Sequence, residues 1–481
     1  MQHFGFHWDT TYTSLPESFF SFHTPKTSSN PSTVVVNHSL AKDLGLHLSQ
    51  LSPHDLAQLF SGNTDLGSRP FCQAYAGHQF GHLSLLGDGR AHCLGEHLSP
   101  NNERFDIQFK GSGKTDYSRS GDGLAALGPM LREYIISEAM HFLGIPTTRS
   151  LAVVTTGDTV WRQTPLPGAV LTRVSPSYLR IGTFELAATM DDIDALQSLF
   201  QYSLDRHFPH LSTSNNPALA FLECIMDLQI KLMVHWMRVG FIHGVMNTDN
   251  ISICGNTLDY GPCAFMDHYH PLTVFSSIDH QGRYAFTNQP RINQWNCARL
   301  AETLLPLIHA EPSHAIDLAS SVIQQWPTRY HHAWLNMMRH KLGIIDAYTD
   351  DHQLIGDLLN WMQHNNIDYT NTFDALTRRA PLDQACYQQP AFLEWLQRLQ
   401  VRKKSLCPDS SLTLMKYNNP VIIPRNHQVE RVLTAAHNQD YEPLKALLHA
   451  VSQPYEYHSD MRDYHKPPSS SERIHQTFCG T

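Results

Sequence analysis

The sequence is short of charge, of paired cysteines and of uninterrupted apolar runs. Charged residues make up only 16% of its 481 positions, and 44 acidic against 35 basic residues leave a formal charge of −9. Such a balance gives no general attraction to nucleic acid or to an anionic membrane, although a local basic cleft stays open. The nine cysteines, an odd number, contain no C-x-x-C pair, which fits a reduced, intracellular thiol set. The most apolar long stretch, Ala218 to Met237, carries Glu223, Asp227, Lys231 and His235, each costly in hydrocarbon, so no membrane span is expected. The first residues, Met1-Gln2-His3-Phe4-Gly5-Phe6-His7, lack both the positive start and the apolar core of a signal peptide, which makes the cytoplasm the expected location. What remains is 41% apolar residues with 28 Pro and 26 Gly and no internal repeat, the composition of a folded protein of several domain equivalents or of one large two-lobed unit.

Histidine is abundant, with 31 copies, and raises the question of a zinc site. His78 and His82 have the i, i+4 spacing of a helical metal pair but lack the Glu of H-E-x-x-H and any cysteine partners. His331-His332 and His268-Tyr269-His270 are coincidences of the kind so many histidines produce. Surface or hydrogen-bonded histidine accounts for them.

Along the chain, residues 1–65 are rich in turn formers and read as an N-terminal extension. Strand signals then dominate: His82 to Leu86, Ala91 to Leu98, Arg104 to Lys110, Ser150 to Thr155, Thr159 to Gln163 and Ala169 to Val174, with Thr156-Gly157-Asp158 as a hairpin turn. One helix interrupts them, starting near Gly128-Pro129 with Leu131, Ile135, Ala139 and Phe142 on one face and stopped by Gly144 and Pro146. From about residue 180 the pattern is helical, most clearly at Pro217 to Val239, with Gly240 as C-cap. The expected fold class is α+β, as a bilobal, protein-kinase-like chain: N-lobe 66–175, helical C-lobe 176–400, and a C-terminal helical extension and tail 401–481.

Several segments carry chemistry in that order. Leu86-Gly87-Asp88-Gly89-Arg90-Ala91 is a glycine turn between two strands, where backbone N–H groups can approach a phosphate and Arg90 can clamp it, or simply a hairpin. In Arg104 to Lys110, alternation puts Phe105, Ile107 and Phe109 on one face and Asp106, Gln108 and Lys110 on the other, so Lys110 ends a strand where a kinase-like fold keeps its phosphate-pairing lysine. Glu133, early in the inserted helix, is placed to orient Lys110 by an ion pair. Asp122-Gly123 is a nucleotide contact or a plain turn. Arg173 and Arg180 fall at the junction of the two halves, in the cleft or on the surface.

The most informative stretch is His243-Gly244-Val245-Met246-Asn247-Thr248-Asp249-Asn250, followed by Asp259-Tyr260-Gly261. His243 and Asn250 have the spacing of a kinase catalytic loop, and Asp259-Tyr260-Gly261 stands in the place of D-F-G. Ile251 to Leu258 reads as a hairpin, whose strands would bring Asn250 and Asp259 to one Mg²⁺. The kinase base is missing: its position holds Val245, which cannot accept a proton, and Asp249 is the nearby carboxylate on that loop.

Taken together, Tyr75-Ala76-Gly77-His78-Gln79-Phe80-Gly81, Leu86 to Ala91, Gln108-Phe109-Lys110-Gly111-Ser112-Gly113, Asp122-Gly123, Leu131-Arg132-Glu133, Arg180-Ile181-Gly182-Thr183-Phe184 and His243 to Asn250 resemble the selenoprotein O or YdiU family of pseudokinase-fold protein adenylyltransferases. The similarity continues to Asn419-Pro420 and Arg425-Asn426. The resemblance implies a nucleotide bound in a flipped orientation, with AMP, or UMP as the alternative, transferred from ATP or its analogue to Ser, Thr or Tyr hydroxyls of protein partners and pyrophosphate released. It implies that Gly87, Gly89, Arg90, Lys110, Asp122, Gly123, Arg173, Arg180 and Asp259 hold the nucleotide, that Glu133 orients Lys110, and that Asp249 accepts the proton. Asn250 and Asp259 would bind Mg²⁺ or Mn²⁺. Cys479 resembles the family's C-terminal cysteine or selenocysteine, but Thr273 to Ser277 offers it no partner, which leaves Cys263 as another partner or no redox latch at all. An ATP-binding scaffold without catalysis and a protein kinase are the competing readings.

Overall fold

The computed structural model describes residues 4–378 and 385–478. Its N-terminal half is built on an antiparallel sheet of β1 (Phe20–Phe22), β2 (Ser32–Val36), β3 (Phe71–Gln79), β4 (His82–Gly87), β5 (Ala91–Leu98), β6 (Arg104–Lys110), β7 (Arg149–Trp161) and β8 (Pro165–Ser175). The strand path runs β1-β3-β5-β6-β8-β7-β2, with β4 paired to β3. The first 65 residues therefore close both ends of the path with β1 and β2, and they add α1 (His38–Asp43) and α2 (Pro53–Phe60). Ser52 caps α2 through a reciprocal bond with Asp55, which satisfies two amide donors at its start.

β6 shows the expected alternation. Ile107 and Phe109 enter an apolar cluster with Leu56, Phe60 and Val170, while Gln108 and Lys110 turn to the opposite face, toward the cleft. α3 (Leu127–Phe142) crosses that face and packs on β7 and β8. α4 (Ile181–Thr189), α5 (Ile193–His207), α6 (Pro217–Val239) and α7 (Gln289–Ile308) follow, and further helices continue to His465. The largest core joins the lobes: Leu131 and Ile135 of α3, Phe184 of α4, and Phe221 and Trp236 of α6 share one cluster. α6 ends as its sequence dictates, on Gly240 at φ +73°, a left-handed cap that costs glycine little. The architecture is α+β, bilobal and kinase-like.

Two local expectations need correction, and one strand had no signal in the sequence. Thr156-Gly157-Asp158 is not a hairpin turn: β7 runs through it, with a register shift between Thr155 and Thr159, and the reversal comes at Arg162 to Thr164. Gly157 has φ +76° and lies against Asn30, so the residue that suggested a turn absorbs a bulge instead. The hairpin after Asn250 is a single bridge, Ile251 to Thr257, and Asn250 itself ends a 3₁₀ turn, Thr248–Asn250. β3 was not foreseen, because Phe71-Cys72-Gln73-Ala74-Tyr75-Ala76 is buried throughout and so carries no alternation.

Candidate active site

A cavity of about 890 Å³ opens between the sheet and the helical half. Gly87, Gly89, Arg90, Lys110, Asp122, Gly123, Arg173, Asp249, Asn250 and Asp259 all line it. The two remaining residues picked from the sequence, Glu133 and Arg180, stand behind its wall and reach it through other side chains.

The wall is an ion cluster. Lys110 Nζ donates to Glu133 Oε2 at 2.7 Å and to Asp259 Oδ1 at 2.8 Å. Arg173 donates to the same two carboxylates, at 3.1 and 2.6 Å, and to Gln108. Arg180, with its guanidinium 4.2 Å from the centre of the Tyr75 ring, donates to the Asp249 carbonyl at 2.8 Å and to Asp259 Oδ2 at 3.4 Å. Burial alone would push the Asp259 carboxyl up, but Lys110, Arg173 and Arg180 outweigh it and hold the group well below the usual carboxylate range. Three cations thus face two carboxylates, and Asp259 stays ionised. Asp259 sits at φ +55°, a left-handed conformation that aspartate tolerates better than most residues.

Asp249 lies in the 3₁₀ turn under β3. Gly77 and Gly182 make this possible: a Cβ on Gly77 would collide with the Asp249 carboxylate, and one on Gly182 with the Ala76 carbonyl. Burial pushes Asp249 up to about 7 against the opposing pull of Arg180, and its Oδ1 has no hydrogen-bond partner among the described residues. Neighbouring side chains fix the turn. Thr248 Oγ1 donates to Glu185 at 2.5 Å and accepts from the His78 amide at 2.6 Å. His78 Nδ1 also lies 2.5 Å from Glu185. Asn247 Oδ1 accepts from Tyr284 Oη at 2.6 Å and from the Phe80 amide at 3.1 Å. Sequence reading gave Glu185, Asn247 and Tyr284 no role; Asn247 stands in the His243 to Asn250 stretch, whereas Glu185 and Tyr284 are marked only by the tertiary structure.

The glycine turn is tightly packed. A Cβ at Gly87 would enter the Tyr117 ring and one at Gly89 would meet the Tyr117 carbonyl at 2.8 Å. Between them Asp88 turns inward, accepting from the Gln73 amide and Gln108 Nε2, each at 3.1 Å. Asp122 accepts from Arg162 at 2.8 and 3.2 Å and from the Leu124 amide at 3.0 Å, so it both shapes a turn and borders the cavity.

Hard oxygen donors at Asn250 and Asp259 fit a divalent cation of the Mg²⁺ type. Asn250 Nδ2 donates to the Val245 carbonyl at 3.1 Å, which leaves the amide oxygen as the donor atom, and among the described residues Asp259 Oδ2 carries only the long Arg180 contact. Among the described residues no group of three or more His, Cys, Asp or Glu could hold a metal ion; phosphate oxygens and water would have to complete the shell. Cys263 is buried, and burial pushes its thiol up to about 12, so it is protonated and unreactive near neutral pH. Cys479 lies outside the described residues.

The profile of the family described as protein adenylyltransferase SelO matches residues 3–452. The chain belongs to the SelO family. Its relatives include proteins named protein nucleotidyltransferase YdiU from Nitrosococcus oceani, 52% identical over all of this chain and 98% of the relative. Others with that name come from Brevibacillus brevis, 51% identical over 99% of this chain and 98% of the relative, and from Geobacillus kaustophilus, 52% identical over 99% of both. Within this SelO chain no described helix is long and apolar enough to cross a membrane.

Proposed function

We propose that the chain is a protein nucleotidyltransferase that moves AMP, or UMP as the alternative, from a nucleoside triphosphate with Mg²⁺ or Mn²⁺ to Ser, Thr or Tyr hydroxyls of proteins. The observation that carries this reading is the pairing of Val245, where a kinase would keep its base, with the buried carboxylate of Asp249 beside Asn250 on the cavity wall. A carboxyl poised near 7 is suited to take a proton at neutral pH.

The acceptor hydroxyl oxygen forms a bond to the α-phosphorus, the bond from that phosphorus to the bridging β-oxygen breaks, and pyrophosphate leaves. Asp249 takes the hydroxyl proton. Lys110 and Arg173 give the leaving group positive charge already held in place by Glu133 and Asp259, and Arg180 adds to it from behind the wall. Gly87 and Gly89 let Tyr117 and Ser118 pack against the turn, which shapes the wall that faces the nucleotide. When bound at Asn250 and Asp259, a divalent metal supplies further neutralisation of phosphate charge.

Incubation of a test protein with α-labelled and γ-labelled ATP decides between chemistries. Covalent label from the α position, lost in Asp249→Ala while ATP still binds, is expected. Label from the γ position alone means a kinase, and ATP-induced thermal stabilisation without label from either position means a scaffold.

A further inference from the structure

We infer that Trp161 is the platform on which the nucleotide base stacks, and that base selection at this site is by stacking and not by hydrogen-bond readout. The inference rests on the nucleotide site proposed above.

Trp161 ends β7 and is 71% exposed, the second most exposed of the large hydrophobic side chains after Tyr417, yet it borders the cavity together with Leu124 and Arg162. An indole left in water beside a polar cleft forgoes a large burial gain, which a ligand can recover. The position also follows from the other walls. Lys110 and Arg173, the cations of the ion cluster that line the cavity, mark where the triphosphate goes. Toward the junction of the lobes, where kinases seat adenine, Arg173, Gln108 and Asp88 fill the space with side chains already bonded to one another. Toward Asp249 and Asn247 the cavity must stay open for the acceptor hydroxyl. The other exposed aromatic wall, Phe80, packs on the Tyr284 ring 5.3 Å away and bonds Asn247 through its amide, at the acceptor end, which leaves the rim at Trp161 for the base.

Most side chains on that rim are already committed. Asp122 holds Arg162 and the Leu124 amide, Ser118 donates to the Gly89 carbonyl and accepts from the Thr115 amide, and Arg119 donates to the Leu85 carbonyl at 2.6 Å. With Asp122, Ser118 and Arg119 bonded within the loop itself, the broad surface that the rim presents is an aromatic face that accepts any base. Arg162 anchors the strand end that carries this ring, since its guanidinium bonds both the Trp161 carbonyl, at 2.8 Å, and Asp122.

The test compares binding of ATP, UTP and inorganic tripolyphosphate, each with Mg²⁺, to wild type, Trp161→Ala and Trp161→Phe. Stacking predicts that Trp161→Ala weakens ATP by on the order of tenfold or more, weakens UTP less because its ring is smaller, and leaves tripolyphosphate unchanged. Trp161→Phe restores most of the loss, and ATP quenches more indole fluorescence in wild type than in Trp161→Phe. Equal weakening of all three ligands in Trp161→Ala, or no weakening of ATP, overturns the inference while leaving the proposed function standing. Failure of wild type to bind any of the three overturns both.

Discussion

Gly77 of β3 lies directly over the Asp249 carboxylate, with no room for even a methyl group between them. The strand and the turn that carries Asp249 are 172 positions apart in sequence, and the glycine is what lets backbone and carboxylate touch. Gly77→Ala must therefore lift β3 or displace Asp249. The expected outcome is a loss of transfer of about a hundredfold, the scale of a misplaced catalytic group, with ATP affinity near wild type because Lys110 and Arg173 are untouched. Measured rates of α-label incorporation beside ATP titrations check this; parallel loss of binding and transfer would contradict it.

Glu133 is shared by Lys110 and Arg173 in a site where all three are buried. Glu133→Gln leaves two buried cations with Asp259 as their remaining carboxylate, and should cost about 3–5 kcal/mol of stability. Because phosphate oxygens can replace the lost carboxylate, ATP should stabilise the variant against heat more than it stabilises wild type. Denaturation with and without ATP measures both effects.

Lys341 is buried with no carboxylate in contact among the described residues: its Nζ donates to the Arg238 carbonyl at 2.8 Å and lies 4.2 Å from the centre of the Phe373 ring. Burial, aided by the Arg238 charge, pulls its pKa well below the usual lysine value. The folded state then binds fewer protons than the unfolded state between that lowered value and about 10.4. Across this window stability rises with pH, by up to about 1.4 kcal/mol per unit. Lys341→Met should flatten that slope and be at least as stable at pH 7, as urea titrations at several pH values would show. A steeper slope in the variant would contradict the assignment.

The segment after Asp259 is tied down by the tail. The Thr477 amide donates to the Phe275 carbonyl at 2.7 Å, and the Ser277 amide donates to the Thr477 carbonyl at 3.0 Å. Thr477 Oγ1 adds a bond to the Pro262 carbonyl at 2.6 Å. Removing residues 474–481 should speed amide hydrogen exchange at Ser277 by at least tenfold while α6 keeps its protection. Unchanged exchange at Ser277 would mean that the segment holds its shape unaided.

Chelation provides a separate check on the oxygen-donor site. EDTA should abolish transfer but leave the thermal midpoint without nucleotide nearly unchanged, because Asp259 is already held by Lys110, Arg173 and Arg180. A large fall in the midpoint would point to a structural metal.

Local pattern was enough for much of this molecule. Alternation in Arg104 to Lys110 placed Phe109 in the core and Lys110 toward the cleft, the apolar stripe of Pro217 to Val239 with Gly240 defined α6, and Val245 already removed the ordinary kinase base. Each of these is written in neighbouring residues, because periodicity records which face of a strand or helix is buried. Gly157 misled for the same reason: a positive φ serves a bulge as well as a turn, and the residues around it do not say which. Tertiary structure alone decided the rest. Lys110 and Asp259 are 149 positions apart, and their bond, the crossing of Gly77 over Asp249 and the placing of Trp161 on the cavity rim all depend on the path of the chain between them. Burial is what gives those meetings their chemistry, since the same ion cluster in water would hold neither Asp259 ionised so firmly nor Asp249 poised near neutrality.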